Sequence, residues 1–116
     1  GSRVFEMRGL SLAGYAPHVR SCMICGLEPL KSYTFSFLKC GFICDRESCA
    51  AEDRASRDIL PGTARALQHI VYAPMKELFG FRVSPEVSEE LARICKRYLR
   101  ERLERDFTKL DFLKNI

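Results

Sequence analysis

The residues best placed to do chemistry are cysteines. Cys22-Met23-Ile24-Cys25-Gly26 is answered downstream by Cys44-Asp45-Arg46-Glu47-Ser48-Cys49, and the two close pairs are separated by 18 residues (26–43). That spacing is the one an all-thiolate zinc site needs, each pair supplying two ligands from one short turn. Gly26 suits the positive φ of such a turn. Four thiolates close the coordination of the ion, so the expected role is a structural staple with Zn2+ as cofactor. Catalytic zinc keeps an open position and a nearby acid or base. Neither His18 nor His69 has the spacing to join such a cluster, which weighs against a metalloenzyme.

Cys40 is the alternative fourth sulfur. Phe42-Ile43 read as strand, and four residues of strand at roughly 3.3 Å each hold Cys40 and Cys44 about 13 Å apart, too far to share one ion. The polar stretch 45–48 turns instead and lets Cys44 and Cys49 converge. Spacing therefore favours Cys22, Cys25, Cys44 and Cys49, with exchange of Cys40 for Cys44 or Cys49 left open.

A chain of 116 residues makes one domain with a modest core, in which a metal staple matters. Gly1-Ser2 read as an expression scar. The chain opens inside an amphipathic pattern, so the natural protein is expected to extend further N-terminally. No apolar run is long enough to cross a membrane and no secretory leader is recognised, which gives a soluble, intracellular expectation with reduced thiols. The formal charge of +4 falls to about +2 once four thiolates surround a dication. Total charge says little, and its distribution says more.

The elements that must position these residues follow from pattern. Residues 3–13 suit a helix that stops at Gly14, and 15–18 form a loop into the first pair. Tyr33, Phe35 and Phe37 alternate with polar residues, and Phe42-Ile43 follow, so residues 33–44 read as a hairpin whose rings pack over the metal lobe. Residues 50–57 are helix-compatible. Thr63 is a fair N-cap for a helix over 64–72 with Leu67, Ile70 and Val71 inward, and 75–79 form a further short helical piece.

Ser84-Pro85 is a strong helix start. Advancing about 100° per residue, Val87, Leu91, Ile94, Cys95, Tyr98 and Leu99 share the core side. Arg93, Lys96, Arg97 and Arg100 fall at i, i+3, i+4 and i+7 on the other side, a basic stripe able to follow DNA phosphates. An outer charged face is also the default for solubility. Arg102 has the helical phase of Leu91 and Cys95, which places it beside an apolar groove where it could meet a partner's carboxylate. The apolar tail 107–113 is expected to dock back onto the core. The fold class is mainly α, a helical domain with a small four-cysteine zinc-binding β-hairpin lobe (22–49) inserted after the first helix.

Several stretches together carry a resemblance. Phe5-Glu6-Met7-Arg8, Leu12-Ala13-Gly14-Tyr15-Ala16-Pro17, Cys22-x-x-Cys25-Gly26, Gly41-Phe42-Ile43-Cys44, the run 74–79 and the closing Asp111-Phe112-Leu113 are similar to the C-terminal domain of the RecO family of bacterial recombination mediators. The resemblance covers residues 3–116. It implies a non-enzymatic role in DNA repair and recombination, in the cytoplasm on the nucleoid, with an N-terminal oligonucleotide-binding barrel outside this sequence. It also implies zinc on Cys22, Cys25, Cys44 and Cys49. The partners it implies are single- and double-stranded DNA through the backbone, RecR, and the acidic C-terminal tail of single-strand-binding protein, met by Arg3 or Arg102. A zinc-stabilised module that binds only protein is the alternative.

Overall fold

The computed structural model describes the backbone of residues 2–74 and 82–114 and the side chains of residues 6–74 and 82–105. The expected short helix at 75–79, the side chains of Arg3 and Phe5, and the docking of the 107–113 side chains lie outside the described residues. Among the described residues four α-helices and three short strands follow in the order α1 (Ser2–Leu10), β1 (Thr34–Ser36), β2 (Gly41–Ile43), α2 (Glu47–Ala50), β3 (Arg57–Asp58), α3 (Pro61–Tyr72) and α4 (Pro85–Lys114). Roughly half the chain is helical. Among the described residues no helix is long and apolar enough to cross a membrane.

The long helix starts where its sequence says it should. Ser84 Oγ accepts the Val87 backbone N–H at 3.2 Å, and Pro85 occupies the first helical position, where its missing N–H costs nothing. Val87, Leu91, Ile94, Cys95, Tyr98 and Leu99 are all buried, as the helical period requires. All but Leu99 join Met7 of α1 and Ala64, Leu67 and Ile70 of α3 in one core. α1 ends in a wider turn over Ser11–Tyr15, closed by Gly14 at φ 93°. Leu12, on that turn, is exposed.

Two local expectations change. α3 begins at Pro61, three residues before the expected start, and Thr63 is a fully buried residue of its first turn whose hydroxyl has no partner. Pro61 favours the earlier start, and the Leu60 N–H at the helix entrance donates to Glu90 of α4 at 2.8 Å. Residues 50–57 are mostly not helix. Asp53 Oδ1 accepts the Ala55 N–H at 3.0 Å and its other oxygen accepts the Ser36 hydroxyl at 2.7 Å, so the chain turns and delivers β3.

The lobe is accordingly a three-stranded antiparallel sheet in the order β2-β1-β3, not a bare hairpin. Phe35 faces Phe42 and Arg57 across the two ladders. Phe35 and Phe42 are fully buried, and the Phe35 ring meets Phe37, Phe42 and, from α4, Tyr98 edge-on, so these rings serve packing. His18 runs beside the outer edge of β2, its N–H donating to Cys40 O at 2.8 Å and its carbonyl accepting the Phe42 N–H at 2.9 Å.

That contact makes Gly41 obligatory, because a Cβ there would stand 2.5 Å from the His18 carbonyl oxygen. Gly41→Ala is therefore expected to lose about 3 kcal/mol in urea denaturation, since backbone must shift to admit the methyl. Gly9→Ala should gain about 0.5–1 kcal/mol, because it lies inside α1 with nothing within 4 Å of the added carbon.

Candidate metal centre

The sulfurs of Cys22, Cys25, Cys44 and Cys49 all lie within 4.8 Å of one another. Two different devices bring them together. The first pair sits on a tight turn in which the Gly26 N–H donates to Cys22 O at 2.9 Å, with Gly26 at φ 79°. Cys44 leaves the end of β2, and Cys49 comes from the single turn of α2, where its N–H donates to Arg46 O at 2.9 Å. The Cys25 and Cys44 sulfurs are 3.7 Å apart, against about 3.8 Å for the edge of a tetrahedron with zinc–sulfur bonds near 2.3 Å.

The backbone around the cluster already favours anionic sulfur. Cys22 Sγ accepts the N–H groups of Cys25 at 3.5 Å and Cys44 at 3.3 Å. Burial works against ionisation there, but the backbone donors of Cys25, Cys44 and Ile24 overcome it and bring the Cys22 thiol down to about 6. Burial pushes Cys44 up. Burial and the neighbouring sulfurs push Cys49 up to about 12. Four sulfurs this close resist full ionisation on their own, and a soft dication resolves the conflict. All six cysteines are unbridged thiols. The four residues fit zinc: they would hold it with a closed, all-sulfur set and make it a cross-link between the turn at 22–25 and the β2–α2 connection.

The remaining candidates are dispersed. Cys40, the alternative fourth sulfur, lies outside the cluster; its sulfur takes a 3.1 Å contact from Arg105 Nη1 and a 3.6 Å contact from Arg102 Nη1. His18 pairs its ring with Ser21 Oγ at 3.0 Å, and His69 lies on α3 beside Arg65. Cys95 is fully buried in the helical core.

The basic stripe of α4 straddles a ridge. Arg93 and Arg97 line one groove, together with Arg57, Asp58 and Glu90, while Lys96 and Arg100 line another against α1. Arg97 is half-buried, pairs with Glu101 at 3.2 Å and lies 4.1 Å over the Phe37 ring. Arg102 stacks over Tyr15 at 5.1 Å, and Arg105 also donates to Phe37 O at 3.1 Å. Sequence reasoning missed this inward use of Arg97, Arg102 and Arg105. The signal was available in part, because Arg102 and Arg105 sit at i and i+3 on a helix whose apolar side the lobe must cover.

The family model described as "Recombination protein O C terminal" matches residues 2–111. The DNA repair protein RecO of Acetivibrio thermocellus is 49% identical over 114 residues, 98% of this chain and 45% of that protein. The DNA repair protein RecO of Alkaliphilus metalliredigens is 30% identical over 115 residues, 98% of this chain and 46% of that protein. The chain thus spans about half the length of the curated relatives it matches. No solved structure matches it significantly.

Serine at Cys22, Cys44 or Cys49 is expected to abolish stoichiometric metal retention and to lower the melting temperature by about 10–20 °C, the equivalent of about 3 kcal/mol in a domain of this size. A strong chelator should do the same to the unmodified chain. Cys40→Ser should leave metal content unchanged, as elemental analysis of the purified variants will read directly.

Proposed function

The chain belongs to the family of the recombination protein O C-terminal domain, and from that membership we propose that it is the non-enzymatic, zinc-stapled interaction module of a DNA repair and recombination mediator. The observation that carries the reading is the gathering of four sulfurs into one closed set, in a chain whose family kinship covers almost all of it. Zinc on Cys22, Cys25, Cys44 and Cys49 fixes the lobe against the helical body and does no chemistry of its own. We place the module beside an N-terminal oligonucleotide-binding barrel in the whole protein, working in the cytoplasm on nucleoid DNA.

In this reading Arg93, Lys96 and Arg100, all exposed, contact the phosphate backbone of single- or double-stranded DNA without reading sequence. Arg97 contributes less, since Glu101 and the Phe37 ring already occupy it. RecR is a protein partner. The acidic, apolar-ended tail of single-strand-binding protein suits the 670 Å³ groove between α1 and α4, where Leu10, Leu99 and Leu103 form an apolar floor and Lys96 and Arg100 supply cations. Arg102 faces Tyr15 and Cys40, so Lys96 and Arg100 replace it as the carboxylate partners in this proposal.

A second reading, a module that binds only protein, gains support from the partial neutralisation of the α4 stripe by Glu90 and Glu101. Salt titration of DNA binding separates the two. Joint replacement of Arg93, Lys96 and Arg100 by alanine should reduce the slope of log K against log salt by about 3, near one unit per lost phosphate contact, and weaken all sequences alike. An unchanged slope favours the protein-only module.

A further inference from the structure

A different surface, outside the metal lobe and the α4 stripe, has the composition of a strand-binding platform. Arg65, His69 and Tyr72 lie at i, i+4 and i+7 of α3, opposite the side that buries Leu67 and Ile70. Two cavities flank this face. One, of 520 Å³, is lined by Arg20, Arg65, His69 and Tyr72, and the other, of 420 Å³, by Arg65, His69 and Arg82. Three arginines from three separate segments therefore converge on one helix face.

Their charge is poorly compensated. Among the described residues Glu28 is the one carboxylate lining either cavity, and none of their ion pairs involves Arg20, Arg65 or Arg82. The α4 groove, in contrast, sets Asp58 and Glu90 against its arginines. The aromatic group is also presented outward. Tyr72 keeps 44% of its surface exposed, and the Arg20 guanidinium stands 4.7 Å from its ring centroid. An exposed ring beside a guanidinium, within a positive groove, is the arrangement on which unpaired bases stack while phosphates are neutralised nearby.

We propose that this α3 face binds an unpaired nucleic-acid strand, Tyr72 and Arg20 stacking a base and Arg65 and Arg82 holding the flanking phosphates. The proposal rests on the DNA-binding reading above and adds to it a site specific for single strands. It commits to nucleic acid over an acidic peptide because every nucleotide brings a base and a phosphate together, the pairing that an exposed ring set among Arg20, Arg65 and Arg82 matches.

The test is a fluorescence-anisotropy titration of the zinc-loaded chain with labelled oligo(dT) and with an abasic oligomer of the same length. Tyr72→Ala should weaken oligo(dT) binding about tenfold and leave the abasic oligomer nearly unaffected, with Tyr72→Phe restoring affinity. The double variant Arg65→Ala, Arg82→Ala should weaken both ligands. An unchanged melting temperature shows that each variant folds. Loss of affinity only in the Arg93, Lys96, Arg100 variant, with the α3 variants unchanged, overturns this inference and leaves the proposed function standing. No oligonucleotide binding by the unmodified chain overturns both. Tight binding of polyglutamate in place of oligonucleotide also overturns it, assigning the face to an acidic protein.

Discussion

The lobe between the two cysteine pairs depends on sulfur. The sulfurs of Cys22, Cys44 and Cys49 are buried with Ile43 in a cluster of their own, which Leu30 joins to the main core that holds Phe35 and Phe42. A metal ion held at the four sulfurs, which lie within 4.8 Å of one another, would cross-link the two ends of the lobe. The thiols are pulled unequally, Cys22 held down by backbone donors and Cys49 pushed up by burial and its neighbours.

The lobe and the helical body share one buried core, to which Phe35 and Phe42 contribute beside Met7, Leu67 and Tyr98. Phe35 reaches Tyr98 edge-on, and the Tyr98 hydroxyl donates to the Tyr15 carbonyl at 2.5 Å, which ties α4, the sheet and the end of α1 together. Burial, with a further push from Cys40, raises the Tyr98 phenol to about 12, so it stays a neutral donor. At the far end of the sheet, Arg97, Arg102 and Arg105 of α4 grip the β1–β2 connection through the Phe37 ring, the Phe37 carbonyl and the Cys40 sulfur. Part of the basic character of α4 is thus spent on holding the lobe in place. The outward charge that remains is smaller than a count of arginines suggests.

Much of this was legible in the residues. Cysteine spacing picked out the four sulfurs because metal ligation demands soft groups from short turns, a constraint written locally in sequence. The α4 start and buried side were legible because hydroxyl cap, proline and helical period all agree. The sheet was only partly legible. β3 is two exposed residues, Arg57 and Asp58, with no alternating apolar pattern, and pairing with β1 defines it, helped by Thr34 Oγ1 donating to Asp58 Oδ1 at 2.8 Å. Thr63 was misread as a cap because the helix already starts at Pro61, which leaves Thr63 buried inside its first turn. The helical phase of Arg102 already set it on the apolar side, while the inward turn of Arg97 and Arg105 and the α3 face were illegible for one reason: a charged residue declares its charge, and its direction is set by partners distant in sequence, such as Phe37 for Arg105 or Tyr72 for Arg20.

The central claim is that one zinc ion, held by four sulfurs, turns this segment into a rigid lobe. X-ray absorption at the zinc edge of the purified chain, quantified against protein concentration, tests it most directly. The account predicts one zinc per chain with a first shell of four sulfur scatterers at about 2.3 Å. A first shell containing nitrogen or oxygen, or a chain that carries no zinc and keeps its lobe folded, would contradict it.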